Sequence, residues 1–142
     1  MSRSRIPREL RQRVAAASRW RCGYCQTQQI VVSYPLHIDH IIPEFAGDQT
    51  TEDNLWLACS VCNNAKGVQT MAHDPLTGQS DLLYNPRLQA WSDHFAWSSE
   101  GDQINALTPV GRATVAALQL NSSLRVQSRQ RWALVGWHPS RD

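Results

Sequence analysis

The sequence predicts an α+β fold in which two short strands and a helix are clasped by a metal ion. Three observations lead there. Cys22/Cys25 and Cys59/Cys62 form two Cys-x-x-Cys knuckles on either side of residues 26–58. Two short apolar runs lie between them, Ile38-Asp39-His40-Ile41-Ile42 and Asn54-Leu55-Trp56-Leu57-Ala58, the first closed by Pro43. Val61 to Gly67 then reads as a helix, with Ser60 as its N-cap and Gly67 as its stop.

The knuckles come first because they hold the rest. Four thiolates in two such pairs are the usual ligand set of a closed tetrahedral zinc site. A redox motif of the thioredoxin kind needs only one pair, beside a βαβ pattern. Iron is a lesser alternative. Disulfides fit less well, since all four cysteines sit in knuckles and no secretory signal precedes them. The segment between the knuckles exceeds the ~15–20 residues of a simple ribbon. Zinc therefore joins a loop before the strands to the start of the helix. A site with four cysteine ligands is coordinatively full and implies no catalysis by itself.

The strand between the knuckles carries the chemistry. Neighbours on a strand point to opposite faces, so Asp39 and His40 serve different sides. Asp39 and Asn63 are hard oxygen donors suited to Mg²⁺ or Mn²⁺. His40, with an ordinary pKa close to working pH, suits a general base on water. Asn54 offers an amide or a backbone carbonyl to steady that ring. A metal ion able to stabilise a phosphate transition state completes the parts needed for phosphodiester hydrolysis.

The order D-H-I-x-P, N-L and C-x-x-C-N-x-x-K, set inside two knuckles, resembles the HNH endonuclease family. The resemblance implies a ββα-metal (His-Me finger) core with a structural zinc. It implies His40 as general base, Asp39 and Asn63 as ligands of the catalytic ion, and Asn54 as the residue that orients the base. Histidine is common where this chain has Asn63, so the identity of the ion is less defined. DPLTG, NPR, W-x-x-HF, GRAT and RQRW in the second half are similar to a bacterial subfamily frequent in cyanobacteria, over roughly residues 20–139.

Each residue also has a plainer reading. A lone histidine is more often a packing or surface group, Asn54 a turn residue and Asn63 a helix-start residue. Only the joint pattern lifts them to a site. Lys66, the single lysine, has two readings, a phosphate contact or a solvated helix residue. His37, two residues before Asp39, flanks the site on the same strand face.

The flanks follow in chain order. Residues 1–21 hold seven arginines, among them Arg19 and Arg21, against Glu9 alone. That density beside a phosphate-cutting site is the footprint of nucleic acid; a solvated arginine-rich helix reads equally well. This helix starts near Pro7, with Leu10, Val14 and Ala17 as its apolar stripe, and the first five residues fray. Gly47-Asp48 turns between the two core strands. After Gly67, residues 68–80 read as a polar connection in which His73-Asp74-Pro75 is a turn rather than a metal site. His94-Phe95-Ala96-Trp97 reads as a strand paired with Ile104 to Leu107, and its aromatics as core; Arg87 and His94 have a lesser reading as lining for a substrate path. Thr108-Pro109 starts one helix, and a second runs from Ser123 to about Val135, its Arg125, Arg129 and Arg131 forming another basic face.

The organisation expected is a single domain over 1–142: a basic helix over 1–19, the core over 20–67 and a C-terminal extension over 68–142. With 42% hydrophobic and 18% charged residues and a formal net charge of +2, the chain fits a soluble globular class. No stretch approaches the ~18 apolar residues of a membrane span. A cytoplasmic location is expected, where reduced thiols suit metal binding. The function expected is a metal-dependent endonuclease acting on nucleic acid, DNA first. The alternatives are a zinc-stapled nucleic-acid-binding module without cleavage, and an interaction domain that uses zinc only for stability. Oligomeric state is not legible.

Overall fold

The computed structural model describes residues 6–43 and 50–140. Arg3 and Arg5, the frayed start, the Gly47-Asp48 turn and the last two residues lie outside them. The elements follow in this order: α1 (Arg8–Ala17), α2 (Gln29–Val32), β1 (His37–His40), β2 (Leu55–Ala58), α3 (Ser60–Lys66), β3 (Met71–His73), β4 (Ser80–Leu82), α4 (Trp91–His94), β5 (Phe95–Trp97), β6 (Ile104–Ala106), α5 (Pro109–Ala117) and α6 (Ser123–Leu134). Among the described residues the strands form three antiparallel two-stranded sheets, β1-β2, β3-β4 and β5-β6. This mixture of helices and small antiparallel sheets is an α+β fold, and β1-β2-α3 fits a ββα-metal core.

In the first sheet His37 pairs with Ala58, Ile38 with Leu57, Asp39 with Trp56 and His40 with Leu55. A 3-10 turn at Glu52–Asn54 leads into β2. α1 lies against β2 and buries Val14 and Ala15, so the apolar stripe runs through Ala15 and leaves Ala17 exposed. Arg13 on α1 pairs with Glu52 at 2.8 Å across an exposed face, where such a pair adds little stability.

α3 is capped by Cys59, whose sulfur accepts the Cys62 N–H at 3.4 Å. Ser60, expected as the cap, is the first helical residue. A ligand cysteine takes the cap because a knuckle needs its backbone N–H groups turned toward the sulfurs. Gly67 ends α3 at φ +54°, its N–H on the Asn63 carbonyl.

The second half packs on the first through one continuous core. Cys22, Tyr24, Cys25, Leu57, Cys59 and Cys62 share it with Tyr84, Phe95, Ile104, Leu118 and Leu120. β5 pairs with β6 as expected, Phe95 opposite Ala106 and Trp97 opposite Ile104. Thr108 caps α5, its hydroxyl accepting the Gly111 N–H at 3.0 Å. The hairpin β3-β4 stands where only a polar connection was expected. Its strands are three residues each and Met71, His73, Ser80 and Leu82 are all exposed, so no apolar alternation marks it. Arg125 and Arg129 of α6 turn inward, which undoes the basic face read for that helix; Arg131 alone of the three is exposed.

Candidate active site and metal centre

The four cysteines converge. All are buried, and their sulfurs lie within 4.8 Å of one another. Cys25 Sγ and Cys59 Sγ are 3.6 Å apart, far beyond the ~2.05 Å of a disulfide. Zinc–sulfur bonds of ~2.3 Å in a tetrahedron put sulfurs about 3.8 Å apart, so the cluster fits zinc. Local structure builds the first knuckle. Arg21 pairs with Gln28 in an antiparallel bridge, Cys22 donates its N–H to Thr27 and accepts from Gln26, and Gly23 donates to Leu57 at 2.9 Å, which ties the knuckle to β2. Gly23 also admits Trp56 and Pro86: a Cβ there would collide with the Trp56 ring and meet Pro86 at 2.9 Å. Hydrogen bonds from Cys22, Cys59 and Cys62 hold the Cys25 thiol well below its ordinary pKa, while burial pushes Cys22 well above. A bound cation would resolve that conflict by deprotonating all four.

The second centre lies between β1 and α3. Asp39 is 5% exposed and Lys66 2%. The Lys66 ammonium is 3.4 Å from Oδ1 and 3.3 Å from Oδ2 of Asp39, and donates to the His40 carbonyl at 3.1 Å. Tyr24, inside the first knuckle, donates its hydroxyl to Asp39 Oδ2 at 3.2 Å. Burial nonetheless pushes the Asp39 carboxyl above its ordinary pKa, against the pull of Lys66 and Tyr24. Lys66 is thus neither the solvated helix residue nor the surface phosphate contact of the two sequence readings. Its three-residue step from Asn63 turns it onto β1, and burial follows.

His37 Nε2 meets the Ser60 hydroxyl at 3.1 Å, so α3 touches β1 at both ends, through Ser60 and through Lys66. Asn63 lies midway, three residues from each, on the same helix face. It is half-buried, and its side-chain amide makes no hydrogen bond to a described residue. His40 is half-buried, and its Nε2 is 2.9 Å from the Thr50 hydroxyl, away from the Lys66 pair that holds Asp39. The buried Asn54 clamps Ile42 twice: its Oδ1 accepts the Ile42 N–H at 2.9 Å and its Nδ2 donates to the Ile42 carbonyl at 2.8 Å. Asn54 O also accepts the Ile41 N–H. Its side-chain amide therefore braces the backbone just beyond His40.

Residues 22–69 match the family model described as HNH endonuclease. This chain carries an HNH endonuclease domain. The HNH stretch takes in both knuckles, β1, β2 and α3, and stops before β3. Its family is one of nucleases, which makes nucleic acid the class of substrate it implies. Whole-chain comparison with curated proteins finds no match, and neither does comparison with solved structures. Among the described residues no helix is long and apolar enough to cross a membrane.

Of the candidate nucleic-acid contacts, His37 and Arg19 are exposed, Arg21 is half-buried and Lys66 is buried. Arg19 and Trp20 hold left-handed backbone, φ 56° and 59°, at the turn after α1. Arg87 braces the core instead of lining a path: it donates to the Leu55 carbonyl at 3.2 Å and lies over the Trp56 ring at 4.9 Å. His94 is half-buried, bonded to Thr108 at 2.7 Å and packed edge-on to Tyr84. Two residues of the HNH centre escaped sequence reasoning. Tyr24 had a signal, its place inside a knuckle; Thr50, in a polar linker, had none.

By donor chemistry alone, the Asp39 carboxylate and the Asn63 amide oxygen are of the kind that a hard divalent ion takes. A carboxylate offers about four lone-pair positions, and the Lys66 and Tyr24 contacts take three. One remains. Two oxygen ligands suit an ion of the magnesium class, which keeps several waters and takes phosphate oxygens.

Proposed function

We propose that the HNH domain is a metal-dependent endonuclease that hydrolyses phosphodiester bonds in DNA, with His40 as the general base. What supports this reading most is the arrangement on β1, where Asp39 turns to Lys66 of α3 and the next residue, His40, meets Thr50. His40 takes the proton of the attacking water, and the Thr50 hydroxyl sets the tilt of its ring through Nε2. Asn54 is a positioning residue that fixes the strand exit through Ile42. Asp39 and Asn63 hold Mg²⁺ or Mn²⁺, which when bound supplies electrostatic stabilisation of the phosphate oxygens and the leaving group. Lys66 keeps the buried Asp39 ionised enough to serve as a ligand. The exposed Arg19 and His37 contact the phosphate backbone. Four free thiols suit a reducing, cytoplasmic setting.

Incubation with supercoiled plasmid and Mg²⁺ or Mn²⁺, beside an EDTA control, tests the reading. His40→Ala lowers nicking by about 10²–10⁴-fold, the usual worth of a general base, with zinc content unchanged. Wild-type rates in that variant would remove His40 from the mechanism.

A second reading has an observation of its own. Asp39, Lys66 and Tyr24 form a buried, charge-balanced set that fastens strand to helix without any ion. That suits a zinc-stapled nucleic-acid-binding module. It predicts plasmid binding that weakens with salt, and no nicking with either cation.

A further inference from the structure

The zinc site does not end at its cysteines. Arg125, in the first turn of α6 and far outside the HNH stretch, lays its guanidinium on the second knuckle. Nη2 donates to Cys62 Sγ at 3.0 Å and faces Cys59 Sγ at 3.9 Å, while Nη1 donates to the Leu118 carbonyl just past α5 at 3.2 Å. One side chain thus links the knuckle, the end of α5 and α6.

One turn further, Arg129 is 1% exposed and fastens the same helix. It donates to the Leu120 carbonyl at 2.6 Å and the Asp102 carbonyl at 3.1 Å, and lies over the Trp97 ring at 5.7 Å. None of these partners is a metal ligand, so Arg129 docks α6 whatever the knuckles hold. Arg125 differs, because its acceptors include the sulfurs.

Four thiolates around a divalent cation carry two net negative charges in a buried place. N–H donors directed at the sulfurs spread that charge, and such outer contacts commonly change metal affinity about 10–100-fold when removed. A guanidinium suits this role, since it stays charged and presents a planar fork of donors. We propose that Arg125 is the outer partner of the zinc centre, so that zinc retention by the knuckles and docking of α6 are linked through its contact with Cys62. The linkage is reciprocal: metal loading strengthens α6 docking, and a docked α6 slows metal loss.

The assignment needs no nuclease activity, so its failure and the failure of the nuclease reading are distinguishable. Arg125→Met keeps the apolar stem and loses the donors; Arg131→Met, on the exposed face of α6, is the control. Zinc is titrated out of each folded protein with a chromogenic chelator, and cadmium-substituted samples are compared by cadmium NMR. Arg125→Met releases zinc about 10–100-fold more readily than wild type and moves the cadmium resonance, because sulfur loses a hydrogen bond. Arg131→Met does neither. Release within twofold of wild type, or an unmoved cadmium resonance, overturns the assignment. Should Arg125→Met fail to fold, Arg125→Lys keeps the cation with a shorter reach and no fork. It is expected to release zinc more readily than wild type and to move the cadmium resonance, and identity with wild type in both readouts overturns the assignment equally.

Discussion

Two buried aspartates with cationic partners respond to their surroundings in opposite directions. Asp74, at the turn after β3, receives Arg112 as a fork, Nε to Oδ1 at 2.9 Å and Nη2 to Oδ2 at 2.8 Å. It also accepts the Leu76 N–H and the Thr77 hydroxyl. Those bonds, Arg112 first, hold its carboxyl far below the ordinary range. Asp39 has one ammonium at 3.3–3.4 Å and one tyrosine hydroxyl, and burial wins. Asp74 is saturated and serves structure. Asp39 is under-satisfied for a buried carboxylate, which is where an added cation gains most.

The difference can be broken in several ways. Cys59→Ser has the largest expected effect. It removes a zinc ligand at the start of α3, the helix that carries Lys66 to Asp39, while the serine hydroxyl still caps that helix. Structural zinc contributes about 10–16 kcal/mol in small domains, so cooperative unfolding is lost or shifted far down, read by thermal melts beside zinc content.

Lys66→Met comes next. It leaves a buried carboxylate without its cation, a loss of about 3–5 kcal/mol, and the double variant with Asp39→Asn recovers part of it. The pH sign follows from the raised Asp39 pKa. A carboxyl that is harder to ionise when folded stabilises below its unfolded pKa of about 3.9, and that contribution is lost as pH rises through the folded value. The Lys66→Met penalty therefore shrinks on acidification, provided denaturant melts are compared over the same pH series.

Gly23→Ala is expected to cost about 1–3 kcal/mol, since the new methyl displaces Trp56, the cross-strand partner of Asp39. Its zinc content should hold while the melting point falls. Asp74→Asn keeps an acceptor for the Leu76 N–H but removes the charge that Arg112 grips, so it too is destabilising at neutral pH. Here the sign reverses. A depressed carboxyl stabilises above about pH 4 and loses that contribution as pH falls toward its folded pKa. The gap between wild type and Asp74→Asn should close in acid, and a gap that widened would contradict the saturated fork.

Local chemistry decided which parts were legible beforehand. The knuckle spacing, the Thr108-Pro109 helix start and the His94–Trp97 strand each rest on residues close in sequence, and each stands in the structure, the strand proper beginning at Phe95. The β3-β4 hairpin was hidden because its outward residues are exposed on both strands and leave no period-two pattern. The arginines of α6 misled for a related reason: charge on a helix reads as surface, and only contacts with Cys62 and Leu120 reveal that two of them face inward.

What the sequence by itself determined is the donor inventory: four sulfurs in two short-range pairs, and a carboxylate and an imidazole on adjacent strand positions. A knuckle closes over a few residues, so its geometry needs little from the rest of the chain. Tertiary structure alone decided what each donor answers to: Lys66 and Tyr24 at Asp39, Thr50 at His40, Arg125 at Cys62. Those partners come from other elements, and their strength depends on distance and on exclusion of water, neither of which exists until the chain has packed.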